Sequence, residues 1–226
     1  MSMAMRRLPR GKLFLGFLGL GLVCGFLLGA LSSSRATAKS APPSGQQNVL
    51  VVLVDGMDKS PAPLLGAWLG ASTGDDGVIA WVPLYPTPLT AGEYAEAHDP
   101  VYVDLLDLQL LETLKPLRSA GVWWNEVIIL DSTALSTLLS QVSPEYSLAS
   151  MQPWAEPQAA LHQQVSVLQT LCQGAAALNN AATLDLALGL VPEHARSSLG
   201  AFEIIARWDA FQTSGREISC QHPWTN

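Results

Sequence analysis

The sequence predicts an α/β domain, a sheet layered between helices, carried on a single N-terminal transmembrane signal-anchor helix. Three observations lead there. Residues 13–31 form an unbroken uncharged apolar run behind a cluster of positive charges. Beyond position 47, short β-branched runs alternate with segments of helical periodicity, the pattern of a sheet covered by helices on both faces. Of 226 residues, 49% are hydrophobic and 14% charged, enough apolar surface for one sizeable core and too little length for two.

The apolar run LFLGFLGLGLVCGFLLGAL would span roughly 28 Å as a helix at about 1.5 Å per residue, close to the hydrocarbon thickness of a bilayer. Arg6, Arg7, Arg10 and Lys12 precede it. Positive flanks stay on the cytoplasmic side, so residues 1–12 are expected in the cytoplasm and the bulk of the chain outside, as a single-pass cell-membrane protein. A cleaved signal peptide is the alternative, with Ala36-Thr37-Ala38 as the site, although such apolar cores usually have only about 7–15 residues. Residues 32–47 (SSSRATAKSAPPSGQQ) lack apolar periodicity and read as a flexible linker to a domain over 48–226.

Within that domain, residues 48–54 (NVLVVLV) are apolar on both faces, as a central strand must be, and stop at Asp55-Gly56. Residues 64–73 and 78–85 flank Gly74-Asp75-Asp76-Gly77 and predict a hairpin. Pro83, Pro86 and Pro88 open an irregular loop to about position 100. Leu106, Leu110, Leu114 and Leu117 predict a helix over 104–117, ended by Pro116 and Gly121. Residues 126–130 (EVIIL) predict a strand, followed by a helix to about 142 capped by Asp131-Ser132-Thr133. The clearest helix spans 158–173, with Leu161, Val165, Leu168 and Cys172 as its apolar stripe. Further helices are expected over about 181–190 and 198–212.

Six of the twelve basic residues precede position 40 and all nineteen acidic residues follow it, leaving the domain with six positive against nineteen negative charges. So acidic a surface repels phosphodiester backbones and speaks against a nucleic-acid partner. No G-x-S-x-G elbow, CxxC, P-loop or dinucleotide fingerprint is present. Glu93, Glu96, His98 and Asp99 form a loop cluster with hard-cation donors, against the commoner reading of solvated acids. His162 reads as a surface histidine. Asp55, at the end of a buried strand, stands where α/β folds place ligands, or else caps its own turn. With Cys24 in the membrane segment, Cys172 and Cys220 are the remaining pair, and outside the cytoplasm they can form a disulfide tying the tail to the 158–173 helix. The competing reading leaves Cys172 free in the core.

The order of these parts resembles the LytR–CpsA–Psr family of cell-envelope proteins. Residues 48–56 (NVLVVLVDG) look like the family's opening strand, and 64–85 like its next two. Residues 122–139 are similar to its later strand and helix, and 160–171 (ALHQQVSVLQTL) to its Gln-rich helix. The resemblance implies an α/β/α domain that moves an anionic glycopolymer from a polyprenyl pyrophosphate to peptidoglycan. Arginines would grip the pyrophosphate and aspartates a divalent cation, Mg²⁺. Asp55 matches the first acidic position and would be the metal ligand. The arginine expected two residues later is Met57, with Lys59 as a substitute; an expected Arg-Asp pair falls among Pro63, Leu64 and Leu65, the Arg-Asp of an Ile-Pro-Arg-Asp motif falls on Leu84 and Tyr85, and the arginine of the Gln-rich helix on His162. A set of anion-binding groups is missing together, so the resemblance points to a divergent, degenerate member that binds a polyprenyl lipid or an envelope partner rather than catalysing. The alternatives are residual phosphotransfer through Asp55 and Lys59, and a protein–protein scaffold. VLVDGMD also resembles the opening metal-ligand strand of the alkaline-phosphatase superfamily. That fold needs Asp-x-x-x-His and Asp-His spacings, and His98, His162, His194 and His222 stand in none.

Overall fold

A parallel pair of buried strands forms the spine of the domain. In the computed structural model, residues 46–72, 78–86, 100–105, 122–174 and 189–200 are described, together with 186, 203, 206 and 219–221. Strand β1 (Gln47–Val54) runs parallel to β5 (Glu126–Asp131) on one side and antiparallel to β2 (Ala62–Ser72) on the other. β3 (Val78–Tyr85) pairs with β2, completing the hairpin expected from sequence. The sheet order is β6-β5-β1-β2-β3-β7, where β6 is Ala195–Ser197 and β7 is Ser219–Gln221; β4 (Tyr102–Val103) pairs with the start of β2. This is a mixed α/β sheet. Strands β4, β6 and β7 go beyond the sequence expectation, because two or three residues carry no readable alternation. β1 also begins at Gln47, one residue inside the expected linker.

Alternate residues of β1 serve two cores. Val49, Val51 and Leu53 face a cluster that includes Leu135, Leu138 and Leu139 of helix α1 (Ser132–Val142) and Val167, Leu168 and Leu171 of α2 (Pro157–Gln173). Leu50, Val52 and Val54 face the other side, with Met57, Val103, Leu105, Val127 and Ile129. Both faces of the sheet are therefore buried, as the unbroken apolar run of β1 requires. Among the described residues helices α1 and α2 cover one face. The helix expected over 104–117 lies almost wholly outside the described residues, as do the hairpin turn, the 87–99 loop and residues 1–45. No helix among the described residues is long and apolar enough to cross a membrane.

Against β1, the register of β2 slips once. Leu53 faces Gly66 while Val54 faces Leu64, leaving Leu65 as an extra residue. Such a bulge reverses which face each later side chain meets: Ala62 and Leu64 join one core, and Ala67 and Leu69, of opposite parity, join the same one. Gln164 of α2 meets the carbonyl at the bulge. Its Nε2 donates to the Leu65 carbonyl at 2.8 Å, and its Oε1 accepts from Trp68 Nε1 at 2.8 Å. Gly66 makes room, since a Cβ there would lie 2.8 Å from Gln164 Nε2. The expected stripe of α2 is thus corrected. The buried residues are Ala160, Gln164, Val167, Leu168 and Leu171, while Leu161, Val165 and Cys172 sit only partly buried beside them. A polar residue takes the core position because both ends of its amide are satisfied.

Cys172 and Cys220 are joined by a disulfide with Cα atoms 6.1 Å apart, bridging 48 residues. It fastens β7 to the end of α2, and β7 lies parallel to β3 with Ile79 opposite Cys220. Residues Ser219–Gln221 are thereby held in the sheet.

Candidate functional site at the carboxyl ends of β1 and β5

Because β1 and β5 are parallel, their carboxyl ends stand side by side, with Val54 opposite Asp131 at a strand spacing of about 4.8 Å. Each strand delivers an aspartate to this end. Asp55 directly succeeds β1, and its backbone N–H donates to the Pro63 carbonyl at 3.0 Å, starting the return to β2. Asp131 is the last residue of β5 and the N-cap of α1.

The two carboxylates live differently. The Asp55 side chain is 44% exposed and accepts a hydrogen bond from Lys59 Nζ, whose own side chain is 50% exposed. The hydrogen bond to Asp55, reinforced by its charge and that of Asp58, holds the Lys59 ammonium above its ordinary value of 10.5. Asp131 is 4% exposed. Its Oδ1 accepts from the Ala134 backbone N–H at 2.9 Å, and its Oδ2 lies 2.8 Å from Nδ1 of His194. The Asp131 backbone N–H also donates to the His194 carbonyl at 3.0 Å. β6 pairs antiparallel with β5, Leu130 opposite Ala195, so His194 arrives across from Asp131 by the sheet's own register. The hydrogen bond to Asp131 raises the imidazole above its ordinary value of 6.5, against partial desolvation, with the charges of Asp131, Glu193 and Asp58 adding to the rise.

The structure brings Asp55 and Lys59 together as an ion pair and adds a pair that the sequence pattern does not reveal. By pattern alone Asp131 is a helix cap and His194 a histidine without a partner. The usable signal is that Asp131, like Asp55, closes a buried β-branched run. Nothing in the spacing connects it to a histidine 63 positions away. His162 is exposed on α2. The Glu93, Glu96, His98 and Asp99 cluster lies outside the described residues.

Among the described residues, the donors at this end of the sheet do not make up a divalent-cation site. Mg²⁺ demands several oxygens in near-octahedral array; Asp55 is engaged by Lys59, and both oxygens of Asp131 already accept hydrogen bonds. Among the described residues no group of three or more His, Cys, Asp or Glu side chains could hold a metal ion. Lys59 and Arg196 are the only lysine and arginine among them, and Arg196 points away to the Leu105 carbonyl, Nη1 donating at 3.1 Å.

No protein-family model and no curated protein matches the chain. Among solved structures it is similar to the protein gbs0355 of Streptococcus agalactiae, at 12% identity and a TM-score of 0.49, over 79% of this chain and 77% of that one. It is also similar to TagT bound to LIIa-WTA, at 12% identity and a TM-score of 0.47, over 83% and 82%. A third similarity is to TagV of B. subtilis, at 8% identity and a TM-score of 0.46, over 80% and 85%.

Proposed function

We propose that this chain is a membrane-anchored extracytoplasmic protein of the LytR–CpsA–Psr type, acting in cell-envelope assembly by binding a polyprenyl lipid or an envelope protein rather than by transferring an anionic polymer. The observation that carries the reading is the ion pair at the end of β1. Lys59, the cation available to replace the missing arginine, is held by Asp55. The neighbouring Asp58 and Glu193 are acidic and exposed. A pyrophosphate needs guanidinium forks or a metal, and this end of the sheet offers it carboxylates. The order of opening strand, hairpin, strand-helix pair and Gln-rich helix agrees with the family's plan, and the apolar run at 13–31 supplies the anchor.

Two experiments test the proposal. Reporter fusions at Asn226 are expected to be active outside the cytoplasm and silent within it, with the mature protein keeping its first residues; cytoplasmic activity, or an N-terminus at Lys39, overturns the anchor. Native mass spectrometry of the full chain from detergent is expected to show a bound polyprenyl lipid or a co-purified envelope protein, with no turnover of added polyprenyl pyrophosphate. Turnover that requires Mg²⁺ and is lost in Asp55→Asn overturns the non-transferring reading.

A further inference from the structure

The pair at the end of β5 has the parts of a proton-transfer device, and it stands apart from any lipid-binding role. We propose that Asp131 and His194 form a general-base pair in which Nε2 of His194 activates water against an uncharged carboxylic ester. The geometry is that of an oriented imidazole. Asp131 is 4% exposed and fixed by the Ala134 N–H, so its Oδ2 presents one direction to the ring. Nδ1 lies 2.8 Å from that oxygen, which assigns the ring proton to Nδ1 and leaves the Nε2 lone pair for a substrate. His194 is 36% exposed, and Nε2 has no partner among the described residues. A buried carboxylate behind a solvent-facing imidazole is the arrangement by which proteins set a histidine's tautomer and support its protonated form during reaction.

The surroundings select the substrate's charge. Asp131 at the end of β5 contacts the imidazole directly, and the charges of Glu193 and of Asp58, in the loop after β1, act on it in the same direction. Lys59 is neutralised by Asp55. An incoming phosphate or carboxylate would meet net negative charge, whereas an uncharged ester would not. The same groups hold the imidazole above its ordinary value, towards the working range of a general base near neutral pH.

The step balances within the pair and its substrate. Nε2 takes a proton from water as the water oxygen bonds to the ester carbonyl carbon. Collapse of the tetrahedral intermediate breaks the bond to the alkoxy oxygen. The imidazolium then returns its proton to the leaving alkoxide, giving a carboxylic acid and an alcohol with the histidine restored.

The test uses the full chain in detergent micelles with p-nitrophenyl acetate as the uncharged ester and p-nitrophenyl phosphate as its anionic counterpart. The expected result is acetate hydrolysis above buffer, rising with pH through one ionisation above 6.5, with a normal solvent deuterium isotope effect. His194→Gln should lower the rate on the order of a hundredfold, the lower end of what a positioned base contributes, while His162→Gln leaves it unchanged. Because Asp131 substitutions remove a helix cap, ¹⁵N imidazole spectroscopy of the unaltered chain provides a second reading: the neutral ring should carry its proton on Nδ1. Absence of hydrolysis, equal rates in His194→Gln, faster turnover of the phosphate, a missing isotope effect, or a proton on Nε2 would each overturn the proposal.

Discussion

Asp55 and Asp131 end neighbouring parallel strands, one residue out of register, yet they do opposite work. Asp55 closes its strand into a loop open to water and meets a lysine four residues on, in a pair that the sequence brings together by itself. Asp131 closes its strand into a helix and meets a histidine that only the sheet can deliver. The chemistry of a residue at the end of a strand is therefore set by the next element of the chain. A loop leaves the carboxylate solvated and interchangeable, whereas a helix buries it and makes both of its oxygens obligatory.

The sharpest way to break this contrast is to delete each carboxylate in turn. Asp131→Ala removes the cap of α1 and leaves His194 and the Ala134 N–H without their acceptor. A capping loss of about 1 kcal/mol together with a buried donor left unmade should destabilise by about 2–4 kcal/mol. Urea unfolding followed by tryptophan fluorescence measures it. Asp55→Ala should leave the midpoint nearly unchanged, since an exposed ion pair contributes little. Equal losses in the two variants would abolish the distinction.

A smaller effect appears in the pH dependence. A histidine raised in the folded state contributes stability that is fully present below the unfolded value of 6.5 and is lost as pH rises through the folded value. Unfolding midpoints should therefore fall as pH climbs above 6.5, and the fall should flatten in His194→Gln. Lys59, also raised, contributes below 10.5 and loses that contribution as pH rises further. Its exposure makes this change the smaller of the two, and added salt should suppress it.

Much of the frame is legible in the sequence because periodicity and turn chemistry are local. The β-branched run of β1, the hairpin of β2 and β3, and the β5–α1 junction with its Asp131 cap all stand where the residues place them. Asp55 is legible as the residue that closes β1, whereas its ion pair with Lys59 is not read from the pattern. The rest depends on pairing. The buried face of α2 escapes the pattern because Gln164 looks like a surface residue until a bulged carbonyl and an indole N–H fill its valences. Strands of three residues have no period to read. His194 meets Asp131 solely because β6 lies antiparallel to β5 in one register.

The short strand β7 also governs how this molecule meets others. Without it, Val78, Ile79 and Ala80 of β3 would stand at the rim of the sheet with main-chain donors and acceptors facing outward, a template on which any extended chain can polymerise. Three residues of pairing are a weak guard by themselves. The bond from Cys220 to Cys172 keeps that guard in place covalently. While the disulfide holds, the rim stays shut, whereas the reduced chain would expose a sticky margin.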